Sequence, residues 1–118
     1  MNTQKNEKIK FLTFNDGIVK VYETDDDDCI ISNSERLFRF GDRTVGVKRF
    51  YAAYQNDINL ERVIHIPRAA DMTTEKAVVI DNTRYKVEQV QQLTDTYPKS
   101  TVLSLSQRGL YEGETDDV

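Results

Sequence analysis

The sequence is short of the residues that staple, kink or arm a small protein. It has one cysteine, one histidine, two prolines, five glycines and no tryptophan. A lone cysteine, Cys29, allows no internal disulfide, which excludes a stapled mini-domain and fits a reducing compartment. We expect Cys29 to be a small buried apolar side chain rather than a nucleophile. One histidine and one cysteine cannot assemble a zinc site of the usual Cys/His type. Neither G-x-x-x-x-G-K-[ST] nor G-x-G-x-x-G occurs among the glycines, so the common phosphate loops are missing. No apolar run approaches the ~20 residues that span a bilayer, and the polar start Met1-Asn2-Thr3-Gln4-Lys5 has no signal-type apolar stretch. The expectation is a chain that is neither membrane-inserted nor signal-secreted.

What is present is a lean but foldable chain. Its 118 residues suit one domain, with an acidic loop at 23–28, the domain closing at about residue 108 and an acidic, mobile C-terminal segment over 109–118. Leu, Ile, Val and Phe number 31, above the level at which highly charged chains stay disordered, yet apolar residues are only 38% and charged residues 31%. So thin a core invites burial against partners. The formal charge of −4 argues against generic nucleic-acid binding. That charge is unevenly placed: residues 1–28 carry −3, residues 29–111 carry +3, and the segment from 112 carries −4.

Val and Ile total 19 against 12 for Ala and Leu, with 11 Thr besides, a bias toward strands. Ile9–Phe14 and Ile18–Tyr22 flank Asn15-Asp16-Gly17 and read as a hairpin. Asp25-Asp26-Asp27-Asp28 repel one another and read as a loop. Leu37–Phe40 resumes strand character and continues past Gly41-Asp42 to Thr44-Val45. Val47, Phe50, Tyr51 and Tyr54 then fall on one helical stripe, a short helix that has to dock on its own sheet or on a neighbour. Leu60–Ile66 is a strand ended by Pro67, and Arg68–Glu75 a polar loop. Ala77–Ile80 and Arg84–Gln92 form a second hairpin around Asp81-Asn82-Thr83, with a bulge near Glu88-Gln89 where Val90 falls out of phase. Thr94–Lys99 is a turn, and Leu103 and Leu105 alternate with Ser104 and Ser106 in a last strand that Gly109 ends. The fold class is therefore mainly β: a small barrel or sandwich of antiparallel strands with one short helix on a long connection.

Chemistry is sparse along this chain. His65 lies among Val63, Ile64 and Ile66 and reads as a strand residue with a satisfied ring, because no spacing supplies a partner for a general base. An EF-hand loop beginning at Asp25 would need Gly at position 30 and Glu at position 36, where the sequence has Ile30 and Arg36. We expect no catalytic residues, no cofactor, no metal and no enzyme activity.

The order Phe11-Leu12-Thr13-Phe14-Asn15-Asp16-Gly17-Ile18-Val19-Lys20-Val21-Tyr22, then Leu37-Phe38-Arg39-Phe40 and Arg43–Tyr51, resembles the head closure, or head–tail joining, proteins of tailed bacteriophages. Ile64-His65-Ile66-Pro67-Arg68, Val78-Val79-Ile80, Tyr85–Gln91, Asp95-Thr96-Tyr97-Pro98 and Leu103-Ser104-Leu105 look like the closing strands of that family. The likeness runs over roughly residues 10–108 and rests on order and spacing, each piece being ordinary strand. It implies a virion structural protein at the head–tail junction, assembled in the bacterial host cytoplasm as a ring, twelvefold by resemblance. Copies of itself, a portal or adaptor protein and tail proteins would be its partners. DNA would pass through without specific binding, and no membrane is involved.

Within that reading Arg49, Phe50, Tyr51 and Tyr54 are candidate subunit or partner contacts, since aromatics and Arg concentrate at interface hot spots. Packing of the same stripe on the chain's own sheet stands beside this. Asp25, Asp26, Asp27 and Asp28 are candidates to face a channel or a basic partner, against the plainer role of a solvated loop. A reading of a different class is a monomeric β-barrel module for a peptide or oligonucleotide. Such readers need exposed aromatics between basic residues. Phe38-Arg39-Phe40 is the nearest fragment, and strand alternation would bury both rings on one side.

Overall fold

The structure, a computed structural model, describes residues 10–43 and 60–110. Among the described residues lie eight strands: β1 Lys10–Phe11, β2 Gly17–Tyr22, β3 Arg36–Arg43, β4 Leu60–Pro67, β5 Ala77–Ile80, β6 Thr83–Leu93, β7 Thr96–Tyr97 and β8 Ser100–Leu110. Six of them close into an antiparallel barrel in the order β2-β3-β4-β8-β6-β5, with β5 returning to β2 through Lys20↔Val79, Val21↔Val78 and Tyr22↔Ala77. Closure removes the unpaired edges that an open sheet of this composition would leave.

Alternation along the strands decides what fills the barrel. Val19 and Val21, Ile64 and Ile66, Val78 and Ile80, and Leu103 and Leu105 point inward in pairs two residues apart and meet Phe40 and Val87 in one cluster. Burying each such side chain contributes about 1.5–3 kcal/mol. Phe40 is buried and Phe38 packs partly against the same cluster, while Arg39 between them is exposed. The alternation expected of Phe38-Arg39-Phe40 is what the barrel uses.

One end of the barrel is plugged by the connection from β4 to β5. The connection has the polar composition expected of a loop, yet Ala69 and Met72 turn into the core cluster. A closed set of hydrogen bonds fixes it: Ala69 N–H donates to Thr101 Oγ1 at 2.9 Å, Thr101 donates to Gln92 Oε1 at 2.7 Å, and Gln92 Nε2 donates to Ala69 O at 3.1 Å. The polar groups inserted at the plug are thereby satisfied.

The β5–β6 hairpin forms where the sequence places it, with a loop of two residues. Asp81 and Asn82 have φ of 51° and 66°, the left-handed pair that a type I′ turn requires, and Ile80 pairs with Thr83. The β6–β8 ladder slips between Val87 and Gln89, which is the bulge expected near Glu88. A second slip leaves Arg108 unpaired between Gln107 and Gly109, with Gly109 at φ 136°. A bulge re-aims a side chain, and this one belongs to Arg108.

Three expectations are corrected. Residues 9–14 and 18–22 form no hairpin: β1 pairs in parallel with β7, and β2 pairs with β3 and β5. The polar groups of the intended turn bind elsewhere, since Asp16 N–H donates to Phe40 O at 2.9 Å and Asp42 N–H donates to Asp16 Oδ2 at 2.8 Å. Cys29 is exposed rather than buried, because it sits on the acidic loop with its N–H held by Asp25 Oδ1 at 3.0 Å. The last strand does not end at Gly109 but runs through it to Leu110. The expected helix with Arg49, Phe50, Tyr51 and Tyr54, the continuation of β3 to Val45, and the segment from residue 111 lie outside the described residues.

Candidate functional site

Two segments cross the outside of the barrel, and the first is the acidic one. Between β2 and β3 the chain leaves the sheet, forms a bridge between Thr24 and Ile30 and a 3-10 turn over Ser32–Ser34, and lies over β2 and β5. Beneath it Tyr22, Ala77 and Val79 face away from the barrel interior and are covered by Ile30, a small second core. The Tyr22 hydroxyl donates to Glu35 Oε2 at 2.8 Å.

This anchoring gives the four aspartates different roles. Asp25 folds the loop, its Oδ1 accepting from Asp27 N–H at 2.9 Å and Cys29 N–H at 3.0 Å. Asp26 and Asp27 are exposed. Asp28, at φ 65°, turns back onto the barrel wall and stands between Arg84 Nη2 at 3.3 Å and Arg108 Nη2 at 2.9 Å. The Arg108 hydrogen bond holds its carboxyl below the usual carboxylate range, assisted by the charges of Arg84 and Lys86 and opposed by partial desolvation. The bulge that exposes Arg108 and the loop that carries Asp28 are thus one device.

Loop and wall enclose an open cleft of about 520 Å³. Its cations, Lys76, Arg84, Lys86 and Arg108, are equalled in number by the carboxylates of Asp25, Asp26, Asp28 and Glu75. Most are already engaged: Lys76 pairs with Glu23 at 2.5 Å and Lys86 lies 3.8 Å from Glu88. A balanced and internally paired cleft selects neither a free anion nor a free cation. Among the described residues no three His, Cys, Asp or Glu side chains are placed to hold a metal ion.

The second external segment is residues 12–16. His65 and Val63 alternate with Ile64 and Ile66 and so face outward, and both are buried. The His65 ring lies edge-on to Phe14 with centroids 5.3 Å apart, and its Nε2 is 2.7 Å from Thr13 O. Accepting is all a carbonyl can do, so Nε2 carries the proton there. Nδ1 is buried without a partner, so the ring is half satisfied rather than fully so. Its role is to pin the segment over β3 and β4.

Sequence reasoning missed a third feature. Phe11 and Tyr97 are 77% and 66% exposed and stack edge-on with centroids 6.1 Å apart, although β1 and β7 lie 84 or more residues apart in the chain and pair through only two positions. Phe11 was assignable to a hairpin and Tyr97 to a turn, and no local pattern joins them. Ile18 and Leu37, 47% and 59% exposed, add a second apolar spot where β2 and β3 run side by side. No protein-family model matches the chain, and no curated protein matches it.

Proposed function

We propose that this chain is a structural protein of a tailed phage or prophage, a ring subunit at the head–tail junction that closes the DNA-filled head and presents the surface on which the tail docks. The observation that carries the reading is the route of the chain between β3 and β4. These strands are antiparallel neighbours, paired through Gly41↔His65 to Arg43↔Val63, yet residues 44–59 separate them. Antiparallel neighbours need two to five connecting residues. The surplus holds the aromatic stripe with Arg49, Phe50, Tyr51 and Tyr54. A closed barrel in which a long stretch of sequence separates two neighbouring strands fits the architecture that the sequence resemblance implies.

Two further features support an assembly role. Apolar side chains are left exposed at Phe11, Ile18, Leu37 and Tyr97 on a chain that has few to spare. Asp28 neutralises two arginines of its own barrel wall, which reduces the cationic surface open to passing DNA. On this reading the acidic loop serves its own subunit at Asp28 and leaves Asp26 and Asp27 to a channel or partner. Deleting the gene in the phage or inducible prophage that encodes it tests the role. Filled heads that lose their DNA and free, unattached tails are the expected products; normal infectious particles would overturn the reading.

A further inference from the structure

The outer face of β5, β6 and β8 gathers cations that the acidic loop covers. Tyr85 and Val87 pack on the barrel core, so Arg84 and Lys86 face outward, about 6.6 Å apart along the strand. Lys76 precedes Ala77, the residue paired with Lys86, and Arg108 is turned onto the same face by the bulge next to Gly109, the partner of Arg84. Against these four the wall sets its own Glu75 and Glu88, so without the loop the face is net positive.

The loop's base and its tip are held differently. Ile30 covers the small second core, Thr24 bridges to Ile30 and Glu23 pairs with Lys76, which fixes the base. Residues 25–29 are all exposed, and it is Asp28 that fastens this tip to the wall. Arg84 Nη2 donates to Asp28 O at 3.0 Å and to its Oδ1 at 3.3 Å, and Arg108 Nη2 lies 2.9 Å from Oδ2. Lifting the tip therefore breaks ion pairs and uncovers no core. Nor does Asp28 exhaust the arginines: Arg84 Nε is buried without a partner, and one carboxylate cannot take up every donor of two guanidinium groups. A row of phosphates can, and cations spread over three strands suit a row rather than one small anion. We propose that the face carrying Arg84, Lys86 and Arg108 is a binding site for the phosphate backbone of double-stranded DNA, covered within the same copy by the Asp25–Asp28 tip. It deepens the ring reading, resting on it for the identity of the polyanion, and adds that the subunit grips DNA once the tip is lifted.

Fluorescence anisotropy of a labelled duplex at low ionic strength tests the cover. D26N/D27N/D28N removes the charge of the tip, keeps Asp25 to fold the loop, and places at position 28 an amide suited to φ 65°. Confirmed folded by circular dichroism, it should bind at least about tenfold more tightly than the unmodified chain, with a slope of about −3 in log K against log salt for the three cations uncovered. Adding R108Q, at an exposed position, should take about one from that slope, and adding R84Q as well should return the affinity to that of the unmodified chain. E35Q/D71N/D95N removes the same charge from exposed positions outside the cleft. If that control gains as much, or if D26N/D27N/D28N gains nothing, the proposal is overturned. Tighter binding of polyglutamate than of DNA also overturns it, by giving the face to an acidic protein segment. If the unmodified chain assembles on portal rings while D26N/D27N/D28N ignores DNA, the covered site fails and the ring reading stands. If the unmodified chain adds nothing to any portal, the ring reading fails, and the anisotropy alone decides the covered site.

Discussion

The segment at 12–16 and the loop at 23–35 both lie across the barrel wall, but they are fastened by different physics. The first is tied through main-chain groups: Leu12 N–H to Tyr97 O, Asp16 N–H to Phe40 O, Arg39 Nε to Phe14 O, and the His65 ring to Thr13 O. The second covers a small apolar patch and is then held by charge, through Asp28 with Arg84 and Arg108 and Glu23 with Lys76. Main-chain hydrogen bonds and the part-buried bond to the His65 ring respond little to salt, whereas partly exposed ion pairs are screened by it. One segment is therefore part of the wall, and the other is a covering whose hold follows ionic strength.

Substitutions graded by size break this contrast in turn. The barrel interior supports both segments, so Leu105→Ala should cost most, about 3–5 kcal/mol in urea unfolding, with both segments lost together. Gly41→Ala comes next. A Cβ there would meet His65 Nε2 at 2.5 Å and Thr13 O at 2.6 Å, and the second is backbone that cannot swing aside. We expect a cost of about 1–3 kcal/mol and faster proteolysis within residues 12–16, with the acidic loop unaffected. His65→Ala removes the donor to Thr13 O and the ring beneath Phe14, for a similar or slightly smaller loss with the same local signature.

The smallest effect belongs to the charged covering. Asp28 is about half exposed, so Asp28→Asn should cost no more than about 1 kcal/mol. Its diagnostic is environmental. Because the folded carboxyl titrates below its ordinary value of 3.8, its contribution is present above that pH and is lost as pH falls through the lower, folded value. Unfolding curves of the unmodified chain should lose that increment below about pH 4, and D28N should not. Added salt should likewise narrow the gap between the two proteins.

How much of this was legible in the sequence depends on whether the determinant is local. The β5–β6 hairpin was readable because Asp81-Asn82 supply left-handed turn residues between alternating strands, and the β6 bulge because Val90 breaks phase with Tyr85 and Val87. Asn15-Asp16-Gly17 carries the same kind of turn signal and misleads. There the competing partners, Phe40 O and the N–H of Asp42, lie 24 or more residues away and outbid a local turn. Charge counting showed a mildly basic middle and acidic flanks, but it pointed Asp25–Asp28 toward a channel, a basic partner or solvent, not toward arginines of their own barrel wall. It could not reveal that Arg108 is aimed by a bulge at Asp28, nor that Phe11 and Tyr97 meet, since both depend on barrel closure.

Native mass spectrometry of the chain with and without purified portal rings tests the central claim most directly. The account predicts a defined multiple of the chain bound to each portal ring, absent when the portal is omitted or replaced by an unrelated ring. A chain that adds nothing to any portal, yet binds oligonucleotide tightly as a monomer, would contradict it.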